Sequence, residues 1–435
     1  MKYYSTNHNS PDVSLSEAVV KGLAPDRGLY MPEHIKRLPQ EFFDTIENLS
    51  FHEIACEVAA AFFGDDIPRE DLDEIVKDTL SFPTPVVEVE PGIHSLELFH
   101  GPTLAFKDVG ARFMARMLRY FIKRSGDNRE VHVLVATSGD TGSAVANGFL
   151  GVDGIRVHVL YPKGKVSPIQ ECQFTTLGRN ISALEIDGVF DDCQRLVKTA
   201  FLDKELNDKL LLTSANSINV ARFLPQAFYY FNAYAQLKKL GKEKELVVCT
   251  PSGNFGNITA GLIAHRMGLP VKRFIAANNA NDVFFNYLQS GKYEPKASVA
   301  TIANAMDVGD PSNFARVLDL YGGDHSRIVE LISGATYSDE EIGETMKECR
   351  ERTGYQLDPH GAVAYRAVKE SLQPGETAVF LETAHPAKFK DTVDRICNTD
   401  IEIPAKLQAF MQGQKQSTPL QKDFTPFKEY LKSLV

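Results

Sequence analysis

Two stretches constrain this chain more than any others. Val131-His-Val-Leu-Val-Ala136 and Leu246-Val-Val-Cys-Thr250 are continuous apolar runs of strand length. Each leads directly into a glycine-containing loop, Thr137-Ser-Gly-Asp-Thr-Gly142 and Pro251-Ser-Gly-Asn-Phe-Gly-Asn257. A helical pattern follows each loop, over 143–149 and through about 265. Strands that are apolar throughout are buried on both faces, which requires a parallel sheet covered by helices. Further strands are expected at 95–99, 155–161, 183–186, 271–276 and 378–381, with helices at 190–201 and 222–240. This alternation predicts an α/β fold with largely parallel sheets. Ligands of such sheets bind at the carboxyl ends of the strands, where both loops fall.

A length of 435 residues favours two or three domains. Residues 1–85 read as an N-terminal helical and extended portion, with helical patterns at 14–21 and 42–63. Gly28-Leu-Tyr-Met-Pro32 is a short apolar segment between turns, and Ser81-Phe-Pro-Thr-Pro85 an extended link. A large α/β domain is expected from 86–130 and 226–435, and a smaller one from 131–225. The net charge of −10 argues against a nucleic-acid or anionic-membrane binder, without excluding a local basic pocket for a small anion. The six cysteines form no Cys-x-x-Cys pair and no zinc-type cluster, so no metal is expected. Reduced thiols, a polar N-terminus and no membrane-length apolar run point to a cytoplasmic protein without a membrane partner. Nothing in the chain sets an oligomeric state.

Four motifs can carry chemistry. In His100-Gly-Pro-Thr-Leu-Ala-Phe-Lys-Asp108, Lys107 falls in the first turn of a helix for which Thr103 is the expected N-cap. The helix dipole and apolar neighbours there lower a lysine's proton affinity, giving the neutral amine that Schiff-base chemistry needs. The alternative is a surface lysine opening an amphipathic helix. The 252–257 loop can cradle a phosphate with backbone amides at a helix start, or it is a tight turn without ligand. It matches neither the P-loop nor the dinucleotide fingerprint. The 137–142 loop can receive a carboxylate through its amides and Thr137, Ser138 and Thr141, or it is a helix start capped by Thr137, Ser138 or Asp140. Ser214-Ala-Asn-Ser-Ile-Asn-Val-Ala-Arg222 offers Arg222 for a phosphate, unless that arginine pairs with a surface carboxylate. In Glu382-Thr-Ala-His-Pro-Ala-Lys388, Thr383 points a hydroxyl toward the same crevice, while His385 reads as a helix-start residue.

Taken in order, these motifs strongly resemble the threonine synthase family of bacterial and fungal type, over most of the chain. The resemblance implies a tryptophan-synthase-β-like fold (fold type II), with two parallel-sheet α/β domains plus an N-terminal extension. It also implies pyridoxal 5′-phosphate as cofactor and O-phospho-L-homoserine as substrate, converted with water to L-threonine and phosphate. Lys107 matches the family's Schiff-base lysine and catalytic base. Gly253, Asn254, Phe255, Gly256 and Asn257 match the loop that holds the cofactor phosphate, and Thr383 the hydroxyl at the pyridine nitrogen. Thr137, Ser138 and Thr141 match the loop that takes the substrate's amino-acid end. Ser217 and Arg222 are similar to residues that hold the substrate phosphate. Asp140 stands where related enzymes carry an asparagine that reaches the cofactor's 3′ oxygen, and a carboxylate there would repel a phenolate unless protonated or turned away. The other classes weighed are a dehydratase or a cysteine synthase of the same fold, and a binding protein without turnover.

Overall fold

The computed structural model describes residues 1–126 and 129–434. Its strands are numbered in chain order. A small antiparallel sheet, order β2-β1-β3, is made by β1 (Lys2–Ser5), β2 (Val13–Ser14) and β3 (Tyr30–Pro32). The large sheet holds β4 (Val86–Glu90), β5 (Ile93–Glu97), β10 (Leu246–Pro251), β11 (Arg273–Asn278), β12 (Ile332–Thr336) and β13 (Thr377–Glu382). Its order is β12-β11-β10-β13-β5-β4, parallel except for the β4–β5 hairpin. The second sheet holds β6 (Val131–Ala136), β7 (Ile155–Pro162), β8 (Ile181–Asp187), β9 (Leu211–Ser214) and β14 (Thr418–Gln421). It is parallel throughout, in the order β14-β8-β7-β6-β9.

The apolar runs form the expected strands: every residue of β6 and β10 is buried. Three of the differences from the sequence reading have a clear physical cause. The pattern over 42–63 is broken into the helices Gln40–Thr45 and Phe51–Phe63. The cause is a capping box at Ser50, whose hydroxyl accepts from the Glu53 amide while the Glu53 carboxylate accepts from the Ser50 amide. Second, β14 pairs with β8, so the end of the chain leaves the large unit to which 226–435 was assigned. The helix Phe424–Lys432 follows it and buries Phe427 and Leu431 completely against Leu184 and Leu196, an apolar gain that holds the tail on the second sheet. Third, Thr103 does not cap the helix Lys107–Ser125, whose N-cap is Phe106. The Asp108 carboxylate reaches back instead, taking the Thr103 hydroxyl at 2.6 Å and the Thr103 amide at 2.9 Å.

Strand order locates the site. From β10 the chain runs outward through β11 and β12, then returns to place β13 on the other side of β10. From β6 it runs outward through β7 and β8, then returns to place β9 on the other side of β6. Each sheet thus has a switch point, β10/β13 and β6/β9, where adjacent loops leave in opposite directions and open a crevice.

Candidate active site

One cleft collects the loops from both switch points. Its wall includes Ser138 and Thr141 after β6, Asn216, Ser217 and Arg222 after β9, residues 252–258 after β10, and Thr383 after β13. Lys107 lies among them. The loop that carries it is stitched to the end of β13. The Phe106 amide donates to the Thr383 carbonyl at 2.8 Å, and the His385 amide to the Leu104 carbonyl at 3.0 Å. The lysine and Thr383 are therefore set by one short piece of backbone pairing. His385 accepts the Ala387 amide through Nδ1 and caps the turn Pro386–Phe389, the structural role expected of it.

Lys107 is the first residue of its helix and half-buried. Burial, the largest cause, lowers its amine from the ordinary 10.5 to about 8, opposed by the Asp140 charge and aided by Arg222 and Lys388. A tenth or so of such an amine is neutral at pH 7, far more than for a surface lysine. Its ammonium is 5.8 Å from the centre of the Phe106 ring.

The loop after β10 starts the helix Gly256–Arg266, whose N-cap Phe255 has a φ of +64°. That left-handed conformation is costly for a side chain of this size and aims successive amides to one side, as an anion nest requires. Asn257 adds a side-chain donor. Its Oδ1 accepts from Tyr229 at 2.7 Å and Tyr230 at 2.8 Å, which fixes the amide orientation. Its Nδ2 is buried with no hydrogen-bond partner among the described residues. A buried orphan donor beside free helix-start amides fits a phosphate group. Together with a neutralisable lysine and a hydroxyl at Thr383, the residues present fit pyridoxal phosphate.

The loop after β6 divides its residues. Ser138 and Thr141 line the cleft. Thr137 spends its hydroxyl inside the loop, accepting the Gly139 amide at 2.9 Å and the Gly142 amide at 2.8 Å while donating to the Gly139 carbonyl at 3.1 Å. Gly139 has a φ of +146°, and a Cβ there would come within 2.6 Å of the Gln170 side chain. Asp140 is turned into an ion pair: Lys388 Nζ lies 2.6 Å from its Oδ1, and Gln170 Nε2 donates to the same atom at 2.9 Å. Burial alone would raise Asp140, but the Lys388 and Lys107 charges outweigh it and hold it at about 2. The carboxylate whose charge posed the difficulty in the sequence thus has its own cation.

Arg222 is buried, and among the described residues it pairs with no carboxylate. Its Nε donates to the Ala215 carbonyl at 2.8 Å and its Nη1 to the Lys107 carbonyl at 3.1 Å. Burial lowers it to about 10, so it remains charged. Ser217 Oγ accepts from Asn254 Nδ2 at 2.8 Å and from Asn313 Nδ2 at 3.0 Å. Sequence reasoning missed Asn313, Lys388 and the wall formed by Asn304–Met306. That wall is held by His360, whose Nε2 accepts the Ala305 amide at 3.1 Å while Nδ1 lies 2.5 Å from Asp358. The spacing of these residues along the chain gave no signal of their convergence.

The chain matches three family models: "Threonine synthase N terminus" over residues 2–80, "Pyridoxal-phosphate dependent enzyme" over 80–384, and "Threonine synthase, C-terminal" over 361–431. It is 48% identical over 407 residues to the threonine synthase of Escherichia coli K12, covering 94% of each chain. The crystal structure of the Escherichia coli enzyme superposes with a TM-score of 0.94 at 46% identity, covering 100% of both chains. The structure of PLP-bound threonine synthase from Brucella melitensis superposes with a TM-score of 0.93 at 36% identity, covering 100% of this chain and 99% of that one. Motif order, switch-point geometry and full-length similarity converge: the chain belongs to the threonine synthase family of pyridoxal-phosphate-dependent enzymes.

Proposed function

We propose that this enzyme converts O-phospho-L-homoserine and water to L-threonine and inorganic phosphate, in the cytoplasm, with Lys107 as the lysine that carries pyridoxal phosphate. One observation carries the reading. The cleft offers two anion cradles on different loops, 253–257 and Ser217 with Arg222, around an amine of lowered proton affinity. A dehydratase or a cysteine synthase needs only the cradle for the cofactor phosphate.

Pyridoxal phosphate, once bound, supplies the electron sink that makes the substrate's Cα and Cβ protons removable. The chain's residues supply position and proton transfer. Gly253, Asn254, Phe255, Gly256 and Asn257 anchor the cofactor phosphate, chiefly through backbone amides and Asn257 Nδ2. Thr383 offers a neutral hydroxyl to the pyridine nitrogen. Ser138 and Thr141 receive the substrate carboxylate, in a loop whose shape Thr137 sets. Asp140 acts through its ion pair with Lys388, not as a direct partner of the cofactor's 3′ oxygen. Lys107 Nζ takes the proton from Cα and shuttles protons at the neighbouring carbons, the task its lowered proton affinity suits. Ser217 and Arg222 hold the γ-phosphate as it leaves Cγ, where fixed donors stabilise the departing anion.

The test is product analysis with purified enzyme, pyridoxal phosphate and O-phospho-L-homoserine. Phosphate and L-threonine are expected in equal amounts. A 2-oxo acid and ammonia formed from threonine or serine, with no phosphate from the ester, would replace this reading with a dehydratase.

A further inference from the structure

The hydroxyl of Ser217 has only one direction left for its proton. It accepts from two side-chain amides, Asn254 Nδ2 and Asn313 Nδ2, which use both of its lone pairs. Neither amide is free to turn over. Asn254 Oδ1 accepts the Ser312 amide at 2.7 Å, and Asn313 Oδ1 accepts Arg316 Nη1 at 2.6 Å. With donors fixed on two sides, the Ser217 proton is available only to an acceptor in the cleft. Gly256 permits this crowding, since a Cβ there would lie 3.0 Å from Ser217 Cβ and 3.4 Å from Asn313 Nδ2.

The arrangement originates in Arg316, a fully buried guanidinium that stacks 3.9 Å from the centre of the Phe223 ring. Among the described residues its hydrogen-bond partners are all neutral oxygens. They are the carbonyls of Ser217 at 2.9 Å, Ile218 at 2.7 Å and Tyr30 at 3.0 Å, together with Asn313 Oδ1. A buried charge without a counter-ion is expensive, and it is retained here where its hydrogen bonds join three segments, at Tyr30, Ser217–Ile218 and Asn313. Tyr30 belongs to β3, so the N-terminal sheet supplies one of the acceptors.

We propose that Asn313, its amide orientation fixed by Arg316, is a positioning residue that holds Ser217 as an obligate hydrogen-bond donor to a phosphate oxygen of the substrate, while the same Arg316 ties the Tyr30 carbonyl of the N-terminal sheet to this arrangement. The proposal rests on the reading that Ser217 meets the substrate phosphate. Removing Arg316 would strip three carbonyls of their donor, so the test is placed on Asn313→Asp in the full-length holoenzyme. The new carboxylate gives Arg316 a counter-ion and preserves its partner atom. Its second oxygen now accepts from Ser217 and turns that hydroxyl away from the cleft. It also loses the 3.0 Å donation from Asn313 Nδ2 to the Asn254 carbonyl, so a double-mutant comparison decides.

Asn313→Asp is expected to raise KM for O-phospho-L-homoserine by about tenfold or more, the scale of a hydrogen bond to a charged group. The cofactor's absorbance maximum should stay in place, and because Asn313 also donates to the Asn254 carbonyl, any change in cofactor affinity should be smaller than the change in KM. Ser217→Ala is expected to raise KM similarly, and adding Asn313→Asp to it to change KM by less than about twofold. If Ser217→Ala raises KM but Asn313→Asp does not, the positioning role is wrong while the substrate reading stands. If the Asn313→Asp effect persists in full on the Ser217→Ala background, Asn313 acts by charge and not through Ser217, and the proposal again fails alone. An unchanged KM in Ser217→Ala overturns the substrate-phosphate reading itself.

Discussion

Replacing Lys388 with methionine tests the electrostatic setting of Lys107. Lys388 and Asp140 are both buried, and their contact is 2.6 Å. Lys388 Nζ also donates to the Thr103 carbonyl at 2.8 Å, so it ties the lysine-bearing loop to the loop after β6. Methionine fills much of the same space but removes the cation, leaving the Asp140 carboxylate with only Gln170 as an identified donor. Breaking a buried pair by removing one partner costs about 3–5 kcal/mol. The folded-state value of about 2 for Asp140, against 3.8 ordinarily, gives a similar scale of about 2–3 kcal/mol. Because that value is depressed, the stabilisation is present above about pH 4 and is lost as pH falls toward 2. Lys388→Met should therefore show its full loss at pH 7, read as a lower urea midpoint of the cofactor-free protein. Adding Asp140→Asn, which removes the stranded charge, should recover more than half of that loss. The same pair bears on Lys107, which Lys388 lowers and Asp140 raises more strongly. The pH at which cofactor-free protein captures pyridoxal phosphate half-maximally should lie near 8, move up in Lys388→Met and move down in the double variant. A loss below about 1 kcal/mol, or a double variant no more stable than the single, would mean that Lys388 does not hold the Asp140 charge.

Three further outcomes follow from the site. Lys107→Ala should abolish the visible absorbance of a lysine-linked cofactor and all threonine formation, checked by spectrum and amino-acid analysis. Arg222→Ala removes a buried cation that donates to the Ala215 and Lys107 carbonyls; kcat/KM for O-phospho-L-homoserine should fall about tenfold to a hundredfold with cofactor still bound. Asn257→Asp keeps an oxygen for Tyr229 and Tyr230 but replaces the orphan donor Nδ2 with an acceptor, so the Kd for pyridoxal phosphate should rise about tenfold or more in a cofactor titration.

What the sequence revealed followed burial and local chemistry. β6 and β10 were legible because strands covered on both faces are apolar at every position. Lys107 in a first helical turn was legible from the local apolar spacing. β14, Thr-Pro-Leu-Gln, was not, because an exposed edge strand with a proline carries neither an apolar run nor a clear alternation. β12, Ile-Ser-Gly-Ala-Thr, was missed for the same lack of apolar pattern at a sheet edge. Within the site, the loops after β6 and β10 announced themselves through glycines. The partners that decide how those loops work did not, because Lys388, Asn313 and Arg316 reach them only through the tertiary fold. The difficulty posed by Asp140 arose from reading a carboxylate without its counter-ion, and the ion pair with Lys388 supplies it.

The proposed reaction breaks the bond between Cγ and the phosphate oxygen while water adds at Cβ. Turnover of O-phospho-L-homoserine in ¹⁸O-labelled water, with mass analysis of both products, tests it most directly. One labelled oxygen is expected in the hydroxyl of L-threonine and none in the released phosphate. Label in the phosphate, with homoserine as the other product, would mean cleavage at phosphorus and would contradict it.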